Sequence, residues 1–242
     1  MGDLFHTIDR QSHRDARRAP HSLILGLPEP FSRSLRSNAR HVALKAGEIL
    51  FNKGDEGDGC YWVDRGILKV TVMSPEGEER ILALLGPGAI VGELAMLDGQ
   101  PRSATIQALR ASDLSFISRT GFQSLLRTDG DLVLQLLDTL VRRLRRSDEE
   151  AAAASFLPVR VRVARALHQM MDLFGEKDER NGLVVVTHDL RQTDIAGLAG
   201  VSRESVTRII ASLKREGILN QFGRFSYRID RARLEVEAHA HP

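Results

Sequence analysis

DLRQTDIAGLAGVSRESVTRIIASLKR, residues 189–215, decides how the C-terminal third of this chain folds. Asp189 followed three residues later by Gln192 predicts a capping box that opens a helix. Ile195 and Leu198 supply that helix with an inner face. Ala199-Gly200-Val201 is a tight turn of small residues, as two helices packed at a steep angle need. Ser202 is placed to cap a second helix. On that helix Val206, Ile209, Ile210 and Leu213 share one face. Arg203, Glu204, Thr207 and Arg208 share the other, at its N-terminal end. An arginine can grip the O6 and N7 of guanine with two bonds, and a glutamate can accept from the amine of cytosine. The polar face therefore suits the base edges of a major groove. The competing reading is a solvated face tied by an Arg/Glu ion pair.

Downstream, the segment from Gly217 to Gly223 predicts a hairpin. With Arg224, Tyr227 and Arg228 it suits a wing against a phosphate backbone. Residues 237–242 read as a solvated tail. Upstream lie a β segment, Leu183–Thr187, and a helix over about 159–173. Phe156-Leu157-Pro158 ends a longer helix before it, because proline disfavours helix at the residue that precedes it. That longer stretch, 131–155, has neither Gly nor Pro. Val133, Leu137, Leu140, Leu144, Ser147, Ala151 and Ala154 are spaced alternately four and three apart, the seam of a two-stranded coiled coil. The flanking Arg142, Arg143, Arg145 and Arg146 favour a long exposed helix and a homodimer over a helix packed on its own domain. Ser147 is polar in this apolar seam, which suits either a register-fixing contact or a position facing a ligand.

From about 40 to 118 the texture is short apolar runs punctuated by glycine. Leu68, Val70 and Val72 alternate with Lys69 and Thr71, the period of a half-buried strand. Ser74-Pro75-Glu76-Gly77 reads as the turn into Arg80–Leu85. Many short strands at this spacing predict a jelly roll. Within it, GELAMLDGQPRSAT, residues 92–105, sets Glu93 just after a glycine and Arg102 nine residues on. A buried Glu93–Arg102 pair is one account of that spacing. A cradle for a phosphorylated sugar is the other.

The 34 basic and 32 acidic residues nearly balance, so any basic patch is local. The single cysteine, Cys60, excludes an internal disulfide framework and a cluster held by several thiolates of one chain. Beside Tyr61 and Trp62 it reads as core. Between 40 and 120 the sole histidine is His41, which is no ligand cluster for a cupin-like metal enzyme. His239 and His241 read as tail residues. No nucleophile–base–acid spacing suggests catalysis, and an enzyme is not expected. Without a long apolar run, no membrane span is expected and the cytoplasm is the default compartment.

The order β-roll, long helix, winged helix-turn-helix resembles the cyclic-AMP receptor protein and fumarate–nitrate regulator superfamily of bacterial transcription factors. GELAMLDGQPRSAT resembles its phosphate-binding cassette and VSRESVTR its recognition helix. Residues 1–21, polar and basic with few large apolar residues, read as a leader, and the resemblance covers nearly everything after about residue 22. It implies an α+β chain with a cyclic-nucleotide-binding β-roll, 22–128; a dimerisation helix and hinge, 129–157; and a winged helix-turn-helix domain, 158–236, before the tail, 237–242. It implies that Gly92 lets backbone approach the ligand, with Leu94 beside it, that Glu93 accepts from the ribose 2′-hydroxyl, and that Arg102 and Ser103 hold the cyclic phosphate. Ser147 and Asp148 fall where the long helix of the family approaches the purine. Asp148 departs from the usual small polar residue, and a carboxylate can accept from adenine's amine or from the edge of guanine. Cyclic AMP is the first expectation and cyclic GMP the second. A ligand-independent, redox-sensing or haem-sensing member is the alternative, although residues 1–59 lack the cysteines of redox-sensing relatives. The implied DNA contacts are Arg191, Gln192, Thr193, Ser202, Arg203, Glu204, Thr207, Arg208 and Arg224. The implied target is a palindrome with TGTGA-like half-sites, read by a homodimer that partners RNA polymerase. Gln192-Thr193 stands where Arg-Gln is expected, which leaves Arg191 to contact phosphate.

Overall fold

A computed structural model of the chain describes residues 39–128, 156–177 and 183–240, together with 130, 133–134, 137, 141, 144–145 and 148. The leader 1–21, residues 22–38 of the expected β-roll, the seam residues Leu140, Ser147, Ala151 and Ala154, and Arg142, Arg143, Arg146 and His241 lie outside the described residues. Contacts divide the chain into two compact units, Met1–Thr71 with Ala83–Arg146 and Val72–Leu82 with Ser147–Pro242.

The β-rich region carries eight strands among the described residues: β1 (Arg40–Leu44), β2 (Ile49–Phe51), β3 (Gly59–Arg65), β4 (Leu68–Met73), β5 (Glu79–Leu85), β6 (Ile90–Val91), β7 (Thr105–Ala108) and β8 (Ser112–Ser118). They form two four-stranded sheets, in the orders β1-β8-β3-β6 and β2-β7-β4-β5. The jelly-roll expectation therefore holds. Strand periodicity sorts the residues of β3. Val63 joins Leu68, Leu85, Ile106 and Leu114 in the core, while Cys60 turns to a second cluster with Ile90, Met96, Ile117 and Phe122. Met96 comes from helix α1 (Glu93–Asp98) and Phe122 from helix α2 (Arg119–Thr128). Helix α2 was not anticipated from the sequence. The turn at Ser74 forms as expected, its hydroxyl accepting from the backbone N–H of Glu76 and Glu78.

The alternation in Leu68–Val72 does form a strand, β4, and both of its faces are covered: Lys69 and Thr71 are 8% and 3% exposed, and Val70 is half-buried. Alternation finds the strand but does not say that one face alone is covered.

The C-terminal region opens with α3 (Val159–Phe174), preceded by Pro158 in extended backbone. A four-stranded antiparallel sheet follows, in the order β11-β12-β10-β9, from β9 (Gly175–Lys177), β10 (Val184–Thr187), β11 (Leu219–Gly223) and β12 (Ser226–Ile229). Helices α4 (Gln192–Ala199) and α5 (Arg203–Arg215) lie between β10 and β11. The expected 237–242 tail is corrected at its start: helix α6 (Arg231–His239) extends into it as far as His239, capped by Asp230 and anchored by buried Leu234 and Ala238. Arg160 of α3 ties three helices together. It meets Glu216, just after α5, at 2.5 Å and Glu237 of α6 at 2.6 Å. Among the described residues no helix is long and apolar enough to cross a membrane.

Of the expected seam, Val133, Leu137 and Leu144 are exposed, at 38%, 51% and 63%. Leu134 and Val141, which the seam reading omits, are exposed beside them at 65% and 48%. Apolar surface of this extent on a single chain costs hydration free energy until something covers it.

Candidate nucleotide and DNA sites

In the β-rich unit the two residues that raised the first question are both buried. Glu93 is 5% exposed and Arg102 4%. Gly92 caps α1 in left-handed backbone, φ 79°, and a Cβ there would run into Arg102 Nη1. A Cβ on Gly57 would lie 2.6 Å from that of Ala95 and 2.9 Å from Arg102 Cζ. Glycine at these positions is therefore what lets the backbone fold round the guanidinium. Arg102 Nη1 donates to the carbonyls of Gly59, at 2.8 Å, and Gly92, at 2.6 Å. Its guanidinium lies 4.3 Å from the ring centroid of Phe51, a cation–π contact. Arg102 Nε is buried with no hydrogen-bond partner. Leaving such a donor unmet is costly. The cradle of glycine and the unmet N–H fit a phosphate. Leu94 is half-buried, and Ser103 is exposed.

Phe51, Gly57 and Gly59 were not read as site residues. Their role depends on strands β2 and β3 converging on Arg102, which spacing along the chain does not reveal. Ser147 lies outside the described residues, and Asp148 is exposed and helical. Cys60 is fully buried near Glu93 and Arg102. Burial, with the Glu93 carboxylate, pushes its thiol up to about 12. His41 pairs with Asp113 at 3.1 Å, and no group of three or more ligating side chains that could hold a metal occurs among the described residues.

In the C-terminal unit the helix-turn-helix forms as read, with one correction to its first cap. The expected Asp189–Gln192 box is replaced by Arg191 and Asp194: the Arg191 N–H donates to the Asp194 carboxylate at 2.7 Å. Helix α4 begins only at Gln192, so its N-cap is Arg191 and the box lies two residues further on. Gly200 turns the chain with φ 62°. Ser202 caps α5, accepting from Ser205 N at 3.2 Å. Val206, Ile210 and Leu213 are buried and Ile209 half-buried.

Arg203, Glu204, Thr207 and Arg208 are all exposed on the other face. Among the described residues no ion pair joins Glu204 to either arginine. Arg208 donates to Ser205 Oγ at 3.2 Å instead. Thr207 Oγ1 donates to Gln192 Oε1 at 3.0 Å, linking the two helices. Arg191 and Thr193 are exposed and Gln192 half-buried at the start of α4. Arg224 sits exposed at the tip of the β11–β12 hairpin. Arginines from the hairpin and from both helices thus flank one hollow, with Arg191, Arg203 and Arg224 in its lining.

A β-roll with a buried arginine in a glycine cradle, followed by a winged helix-turn-helix, is the architecture of a ligand-responsive DNA-binding protein. Comparison with known proteins agrees. Residues 41–129 match the cyclic nucleotide-binding domain family, and residues 161–236 match the Crp-like helix-turn-helix domain family. A CRP-like cAMP-activated global transcriptional regulator of Mycobacterium tuberculosis is 32% identical over 205 residues, covering 85% of this chain and 91% of that one. The cyclic AMP receptor protein of Thermus thermophilus is 36% identical over 173 residues, covering 72% and 76%. The solved structure of a CRP/FNR-family transcriptional regulator from the same organism superposes with a TM-score of 0.69 at 25% identity, covering 84% of this chain and all of that one. The chain belongs to the CRP/FNR family of transcription regulators. It is a cyclic nucleotide-binding, DNA-binding regulator and not an enzyme.

Proposed function

We propose that the effector is cyclic AMP, held in the β-roll by Gly92, Glu93, Leu94, Arg102 and Ser103. The observation that carries this is Arg102, buried at 4% with an Nε donor that no protein group meets. A cyclic phosphate is a monoanion whose oxygens suit that donor. Glu93 at the start of α1 would repel a phosphate, so its place is at the ribose hydroxyl. Ser147 and Asp148 complete the reading at the purine. The names of the two relatives above support adenine. Asp148 supports guanine as the second reading, because a carboxylate can accept two bonds from the guanine edge.

The regulator works in this reading as a cytoplasmic homodimer, joined along the stretch that holds Val133, Leu137 and Leu144. It reads a palindrome with TGTGA-like half-sites through Arg203, Glu204, Thr207 and Arg208. Arg191, Gln192, Thr193, Ser202 and Arg224 hold the backbone, and RNA polymerase is the downstream partner. Bound nucleotide shifts the population of dimer arrangements by binding one more tightly. Calorimetric titration with cyclic AMP and with cyclic GMP is the test. Tighter cyclic AMP binding is expected, tighter cyclic GMP binding favours the second reading, and heat from neither overturns both.

A further inference from the structure

One short stretch, 51–55, holds Arg102 twice. The Arg102 backbone N–H donates to the Asp55 carbonyl at 2.8 Å, and its carbonyl accepts from the Gly54 N–H at 2.8 Å. Its side chain lies over Phe51, the last residue of β2, with Cζ 4.3 Å from the ring centroid. A bulge aims that ring. The pairing of β2 with β7 slips between Ile49 and Phe51, and such slips re-aim a side chain. A Cβ on Gly92 would lie 3.3 Å from Phe51 Cε1, so glycine there leaves room for ring and guanidinium together. The ring is also backed. Arg40, Phe116 and Tyr61 are partners across β1, β8 and β3, one row on one face. Two residues along the same strands, Val42, Leu114 and Val63 form the next row, which belongs to the core. Phe51 reaches across from the other sheet to Tyr61, at 6.1 Å between centroids, and Tyr61 meets Phe116 at 5.1 Å. Arg40 lies over the far end, 5.2 Å from the Phe116 centroid. An aromatic layer thus seals this end of the core and carries Arg102 on its near edge.

We infer that Phe51 is a positioning residue for the nucleotide phosphate, acting through Arg102 and not on the base. Its role rests on Arg102 holding the cyclic phosphate. A guanidinium over a ring face is attracted by the ring's quadrupole, the more so where water is excluded. The Gly59 and Gly92 carbonyls anchor Nη1, and the ring resists tilting of the group about that anchor. The guanidinium is therefore set before an anion arrives. Without the ring the side chain regains freedom that binding has to take back. The base plays no part in this. Two nucleotides that share the cyclic phosphate gain equally from Phe51.

Calorimetric titration of the full chain with cyclic AMP and with cyclic GMP is the test. Phe51→Leu keeps an apolar side chain but loses the ring face. It should weaken both nucleotides about tenfold, one decade in Kd, and leave their ratio within about twofold of the parent's. Phe51→Tyr keeps the ring and should bind within about threefold of the parent. Phenylalanine carrying successive ring fluorines, placed at position 51, drains the ring face while barely changing its size. Affinity should fall with each fluorine, whereas a ring that only fills space would leave it flat. If Phe51→Leu does not fold, the fluorinated series decides alone. A flat series overturns the role, and so does affinity that rises with fluorine, since the ring would then compete with the anion for the cation. A changed ratio of the two nucleotides in Phe51→Leu would place the ring against the base and also overturns it. If the parent binds neither nucleotide, the nucleotide reading fails, and the role of Phe51 with it.

Discussion

The guanidinium of Arg102 lies over the ring of Phe51 while its Nη1 bonds the carbonyls of Gly59 and Gly92. Ring and carbonyls fix the plane of the group, the carbonyls occupy Nη1, and the buried Nε meets no group of the protein. An arginine held in this way has lost its rotamer freedom before any anion arrives, which lowers the cost of binding.

Arg102→Ala should nearly abolish nucleotide binding, since truncating a buried charge partner typically costs ~2–5 kcal/mol. Calorimetry reads the affinity, and circular dichroism confirms that the β-roll is retained. Parental affinity in a folded variant would remove the nucleotide site from these residues.

Glu204 gains nothing from phosphate, so its place on a DNA-facing helix makes sense through a base. Glu204→Ala should relax preference at one position of each half-site, where a good contact discriminates by ~1–3 kcal/mol. Arg224→Ala should weaken all sequences alike and flatten the salt dependence, because fewer counterions are released. Binding-site selection on both variants is the measurement. A parental sequence logo from Glu204→Ala would show that this face does not read bases.

Leu144→Asp should weaken self-association, because the two-fold partner brings a second carboxylate to the same seam. Light scattering at low micromolar concentration should find monomer in the variant and dimer in the parent. A dimer that persists would move the interface elsewhere.

His168 of α3 bonds Asp172 at 3.3 Å and Glu235 of α6 at 3.4 Å. The bond to Asp172, set against burial, raises its pKa above the ordinary histidine value. Burial alone would raise Asp172, but His168 and Arg231 outweigh it and hold its carboxyl low. A raised histidine stabilises the fold fully below its unfolded value of roughly 6.5, and that contribution fades as pH rises through the folded value. The depressed Asp172 contributes above its own unfolded value and loses that only in acid. Between about pH 6.5 and about pH 8.5 the melting temperature should therefore fall in the parent and fall less in His168→Gln. Equal slopes in the two proteins would remove this pair from the stability of α3 and α6.

Period and punctuation made much of this legible. Alternation in β4, the small turn Ala199-Gly200-Val201 and the Ser202 cap are local signals, and each element formed. Helix α6 was missed because Arg231–His239 is charged on most sides and its two buried anchors, Leu234 and Ala238, leave a faint pattern. Helix α2 hid at a change of texture. At the sites, Arg102 could be read from its motif, whereas Phe51 and Gly57 could not. Their partners come from strands and turns far along the chain, and only folding brings them together.

Cys60, fully buried and with its thiol raised to about 12, leaves almost no thiolate to react at neutral pH. The chain is thereby ready for site-directed labelling without first removing its native cysteine. A thiol introduced at an exposed position such as Phe222 of the wing would take a spin label or fluorophore almost alone. Distances between two such labels would then follow the wings of an assembled protein as nucleotide and DNA are added.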